Sequence, residues 1–139
     1  MNGVTAQSDL TRSEIDLSEI PLISVVDDDE SVREALRSLI ESVGFRTEVF
    51  SSGEDFLNSD HFGDTDCLIV DVRMPGMSGL ELQEQLNGIH SLIPLIFISA
   101  HGNEEERARA LEAGAVDFLQ KPFSEDSLLR AINVSLKMG

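Results

Sequence analysis

Four short apolar runs in this chain each lead into a side chain able to do chemistry. LISVV (22–26) runs into Asp27 and Asp28, CLIV (67–70) into Asp71, PLIFI (94–98) into Ser99, and VDFLQ (116–120) into Lys121. Carboxylate oxygens with few neutral partners suit Mg2+, which binds through one or two carboxylates plus phosphate oxygens and keeps several waters. A carboxylate is also a nucleophile toward phosphorus and gives an aspartyl phosphate. An ammonium such as Lys121 neutralises incoming negative charge, and the Ser99 hydroxyl can hydrogen-bond a phosphoryl oxygen. Taken singly, each residue has a plainer use. An Asp after a strand caps the next helix, a serine makes a turn, and a lysine lies solvated. The chemistry requires that they meet.

The acids at the first run are consecutive: Asp27, Asp28, Asp29 and Glu30, with nothing basic until Arg33. A divalent cation relieves the repulsion between Asp27 and Asp28. The same repulsion raises the proton affinity of the metal-free pair, which predicts pH-dependent Mg2+ binding. Asp29 and Glu30 read differently. They stand at a helix start, where negative charge is favourable to the helix dipole, and are expected to be solvated.

The elements that must position these groups follow from hydrophobic period. The strands are 22–26, FRTEVF (45–50), CLIVD (67–71), PLIFIS (94–99) and VDFLQ (116–120). Helices lie between them. The first carries Val32, Ala35, Leu36, Leu39, Ile40 and Val43 and stops at Gly44; a Ser31–Glu34 capping box is expected near its start. The others are 52–59, 80–87, 104–115 stopped by Gly114, and a last one with Leu128, Leu129, Ile132 and Leu136 on one face. Apolar strands alternating with helices imply a parallel sheet covered on both faces. In such sheets the site lies beyond the carboxyl ends of the strands. Asp27, Asp28, Asp71, Ser99 and Lys121 are therefore expected at one edge.

Totals set the class. The chain has 139 residues, enough for one domain, and all its aromatics are Phe. A net charge of −16 argues against nucleic-acid binding by this domain. The single cysteine, Cys67, precludes an internal disulfide, reads as inert core, and suits the cytoplasm. No apolar stretch approaches the roughly 20 residues of a membrane span. Residues 1–20 are polar and read as a mobile extension, with residues 21–139 as the domain. His61, His90 and His101 are scattered, so zinc or histidine catalysis finds no support.

With these residues in view, the chain resembles the receiver domains of two-component response regulators. VVDDDESVREAL, CLIVDVRMPGMSGLEL, FISAHGN and DFLQKPF carry the likeness, over about residues 21 to 137. It is greatest to receivers that precede a helix-turn-helix output domain. The resemblance implies a flavodoxin-like (βα)5 three-layer sandwich with strand order 2-1-3-4-5. It implies Asp71 as phosphoacceptor. Asp27, Asp28, Asp71 and the backbone carbonyl of Arg73 then hold Mg2+ or Mn2+, with Asp28 the direct ligand of the pair. It implies Ser99 and Phe118 as switch residues, Lys121 as the lysine that pairs with the phosphoryl group, and a cis bond before Pro122. Ala100 leaves room for that group, and His101 is placed to govern its lifetime against water.

Phosphate then comes from a histidine kinase or a histidine phosphotransfer protein. The surface of helix four, strand five and helix five would serve an output domain, a downstream protein, or a phosphorylation-dependent homodimer. Such a domain catalyses only its own phosphorylation and dephosphorylation. The haloacid dehalogenase type of phosphatase also uses an Asp nucleophile, but it needs an acid two residues on. Arg73 stands there, and guanidinium does not give up a proton in proteins. A receiver reduced to a binding module would lack one of the acids or the lysine, and all are present. No output domain is seen before Gly139, which fits either a stand-alone receiver or a fragment of a longer regulator.

Overall fold

The computed structural model describes residues 19–138. Its strands are β1 (Leu22–Val26), β2 (Arg46–Phe50), β3 (Cys67–Asp71), β4 (Leu95–Ser99) and β5 (Asp117–Gln120). They form one parallel sheet in the order β2-β1-β3-β4-β5. The helices are α1 (Glu30–Ser42), α2 (Gly53–Leu57), α3 (Gly79–Gly88), α4 (Glu104–Glu112) and α5 (Glu125–Met138). A 3-10 turn at Phe62–Asp64, not expected from the sequence, packs Phe62 edge-on against Phe56.

The two faces of each strand feed two separate cores, because successive side chains point to opposite sides. Ile23, Val25, Cys67, Ile69, Ile96 and Ile98 meet Leu36 and Ile40 of α1 and Leu128, Ala131 and Ile132 of α5. Val26, Leu68, Val70, Leu95, Phe97 and Phe118 meet Phe56 of α2, Leu80, Leu82 and Leu86 of α3, and Ala110 of α4. Cys67 is fully buried, and burial pushes its thiol up to about 12, so it stays protonated as expected of inert core.

Most element ends fall within one to three residues of expectation, and the start of α1 is capped differently. The cap of α1 is Asp29, whose carboxylate accepts from the Ser31 amide at 2.9 Å and from the Ser31 hydroxyl at 2.7 Å. Ser31 thus lies inside the helix as a donor to the cap, and the Ser31–Glu34 box does not form. True capping boxes occur at α3, between Ser78 and Glu81, and at α4, between Asn103 and Glu106. The expected stops hold: Gly44 and Gly114 adopt φ of 98° and 107°, a region open to glycine at little cost. Residues 1–18 of the expected extension lie outside the described residues. The Ile20 carbonyl accepts from Arg46 Nε at 2.9 Å, so the ordered chain already includes Ile20.

Candidate functional site

Parallel register brings the strand ends together. Backbone bonds continue the ladder past the last strand residues: Asp27 N donates to Phe50 O, Val72 N to Ile98 O, and Lys121 N to Ser99 O at 2.7 Å. Asp27, Asp71, Ser99 and Lys121 are thereby held by neighbouring strands as well as their own. Behind Asp71, Gly79 opens α3 and donates its N–H to Val72 O at 2.8 Å. A Cβ at Gly79 would collide with the Asp71 carbonyl oxygen, so only glycine permits this approach of helix to strand.

The side chains converge as the strand-end rule requires. Asp27, Asp28 and Asp71 each offer a carboxylate oxygen, all within 4.8 Å of one another. Asp27 is fully buried, Asp71 nearly so, and Asp28 exposed. Both oxygens of Asp27 are engaged: Oδ1 accepts from the Asp29 amide at 2.8 Å and Oδ2 from Lys121 Nζ at 3.3 Å. Lys121 Nζ also lies 4.0 Å from Asp71 Oδ2, so one ammonium bridges two acids. Arg33 donates to the Asp27 carbonyl at 2.7 Å and steadies the turn beneath.

The Asp71 carboxyl is pushed up to about 6. Burial is the main cause and the charge of Asp27 the second; Lys121 and the Arg73 backbone N–H oppose them. Burial disfavours an isolated anion, and a cation reverses that. The donor set is hard oxygen with excess negative charge, which fits Mg2+. A cation held there would compete with the proton for the Asp71 oxygens.

The other expected residues surround this centre. Ser99 is buried, and its Oγ accepts from the His101 amide at 3.3 Å. Ala100 and the His101 side chain are exposed beside it. The Lys121–Pro122 bond is cis. Phe118 is only 7% exposed, with its ring 6.2 Å from that of Phe97, so it already lies inward.

One contact was not legible in the spacing. Arg73, singled out for its carbonyl, also uses its guanidinium. Nη2 donates to the His101 carbonyl at 3.3 Å and to the Glu106 carboxylate at 3.3 Å. The side chain thus spans from the loop after β3 to the loop after β4. Its partner Glu106 is the acid of the α4 capping box, which was the only available sign that it has a structural task.

A family model described as the response regulator receiver domain matches residues 23–133. The response regulator protein TodT of Pseudomonas putida is 50% identical over 118 residues, which cover 85% of this chain and 52% of that protein. FixJ of Bradyrhizobium diazoefficiens is 36% identical over 117 residues, covering 84% of this chain and 57% of that one. The solved structure of the response regulator StyR superposes with a TM-score of 0.77 at 49% identity, covering 86% of this chain and 60% of that chain. The chain therefore spans about half the length of the curated relatives it matches. Among the described residues no helix is long and apolar enough to cross a membrane. Strand order, the three-carboxylate edge with its lysine, and these matches agree: the chain belongs to the response regulator receiver domain family, signalling domains of two-component systems whose standard role is that of phosphoacceptor.

Proposed function

We propose that Asp71 is the phosphoacceptor. The observation that carries this is one edge holding three carboxylate oxygens within 4.8 Å, with Lys121 Nζ bridging Asp27 and Asp71. Asp71, Asp27, Asp28 and the Arg73 carbonyl would hold Mg2+, with Mn2+ a substitute. Bound there, the metal offsets repulsion between an incoming phosphoryl group and the acids.

An Asp71 carboxylate oxygen attacks the phosphorus of a phosphohistidine on a histidine kinase or phosphotransfer protein. The O–P bond forms as the P–N bond breaks, and the imidazole leaves with the electron pair. Lys121 then pairs with the phosphoryl oxygens, and Ser99 donates its hydroxyl to one of them. In this reading the β4–α4 loop, Phe118 and the surface of α4, β5 and α5 respond as a two-state element. That surface meets an output domain, a downstream protein or a second copy. The domain works in the cytoplasm, comprises residues 21–139, and catalyses only its own phosphorylation and dephosphorylation.

Incubation with Mg2+ and a small acyl phosphate should add one phosphoryl mass to the intact protein, and Asp71→Asn should abolish it. No adduct, or an adduct that survives the substitution, refutes the assignment. His101, exposed at the rim, limits water access to the acyl phosphate in this reading. His101→Ala should then change the adduct's half-life several-fold, and an unchanged half-life removes His101 from the mechanism.

A further inference from the structure

The loop after β4 folds back over the switch residues, and its third residue is Gly102. Its backbone is not in the left-handed region, so conformational freedom does not explain the glycine. Space does. A Cβ at Gly102 would stand 2.6 Å from Phe118 Cε1, 2.7 Å from Phe118 Cζ and 3.0 Å from Ser99 Oγ. The first two distances are shorter than any real carbon contact, and the third is tight. The hydrogen of Gly102 therefore forms the roof of the slot in which the Phe118 ring lies, directly above the Ser99 hydroxyl.

The slot is closed on one side by the core and on the other by a bonded loop. Phe97 packs against it from below and is itself fully buried. The loop above is held by the His101 amide on Ser99 Oγ, by Arg73 on the His101 carbonyl, and by the Asn103–Glu106 box that anchors α4. An added methyl group cannot push into the core, and lifting the loop breaks these bonds. Rotating the Phe118 ring outward breaks none of them.

We propose that Gly102 is a positioning residue for the switch: its missing side chain is what admits Phe118 to its inward seat, and any larger residue there expels the ring. This rests on the reading of Ser99 and Phe118 as switch residues. It adds a residue on the loop itself that sets the resting balance between ring-in and ring-out.

The test uses protein labelled with 4-fluorophenylalanine, with the Phe118 resonance among the seven identified by its loss in Phe118→Leu. In the unphosphorylated protein, Gly102→Ala should move that resonance to an exposed-ring position, shift that of the neighbouring Phe97, and leave the other five in place. Overpacking of a filled site gives a shift in the ring-in to ring-out ratio on the order of ten-fold or more. A Phe118 resonance at its wild-type position overturns the proposal. If Gly102→Ala does not fold, Gly102→Ala combined with Phe118→Leu decides, because leucine lacks the ring atoms that clash. Recovery of folding supports the proposal, and continued failure overturns it. A second arm adds Mg2+ and a small acyl phosphate and follows intact mass. Gly102→Ala should still form the adduct but fail to bring the ring inward. An adduct with the ring seated as in wild type overturns the proposal, whereas absence of adduct in the wild type overturns the Asp71 assignment and leaves the ring measurement standing.

Discussion

Asp71 stores an electrostatic cost that a substitution can expose. Its folded value of about 6 stands above the unperturbed 3.8, so between the two the folded chain holds the proton more often than the unfolded chain. Stability of the metal-free protein therefore falls as pH rises from about 4 to about 6, and the penalty is complete above that window. Asp71→Asn removes it. In urea unfolding with chelator present, the variant should be more stable than wild type at neutral pH, with the gain vanishing near pH 4. A gain equal at both pH values contradicts the raised value. The chemistry at this scale was legible because it depends on residue type at strand ends: Asp27, Asp28, Asp71, Ser99 and Lys121 needed only the strand-end rule to be placed together. The Arg73–Glu106 pair was not, since its partners are 33 residues apart and carry no shared pattern. Gly102 was not either, since the clash that excludes a side chain exists only once Phe118 is folded over it.

Among the four longer helices, α4 is held differently from the rest. Ala110 is its one buried apolar residue, whereas α3 buries Leu80, Leu82 and Leu86. Polar bonds hold it in place: Gln83 Nε2 donates to the Ala110 carbonyl and Asn87 Nδ2 to the Ala113 carbonyl, both at 3.0 Å, and Arg73 pairs with Glu106. An element with few buried apolar contacts opens at low free energy. Gln83→Ala should remove one of the two bonds on the Ala110 carbonyl, which still accepts from the Ala115 amide, costing about 0.5–1.5 kcal/mol. It should speed amide hydrogen exchange across 104–115 and leave α1 and α5 at their wild-type rates. Uniform acceleration would show that α4 is not a separate unit. The order of elements could be read from period and punctuation, since Gly44 and Gly114 end their helices as expected. The start of α1 was misplaced because Ser31 and Asp29 are both good caps, and only the backbone at Asp29, extended with φ of −94°, chooses between them.

At the scale of the whole molecule, charge dominates. A net charge of −16 on 139 residues repels itself in the folded state. Salt screens this over about 10 Å at 0.1 M. Raising NaCl from about 10 mM to about 300 mM should lift the melting temperature by roughly 4 °C, about 1 kcal/mol for a domain of this size. A fall would show that favourable pairs such as Lys121–Asp27 outweigh the general repulsion.

The sheet also divides the interior like a bulkhead. Phe118, Phe97 and the α4 contact lie in one compartment, while α1 and α5 close the other. A swing of the Phe118 ring acts first on the packing of the first compartment. Substitutions in the core beneath α1, at Leu36 or Ile40, should therefore leave the seat of the ring in place.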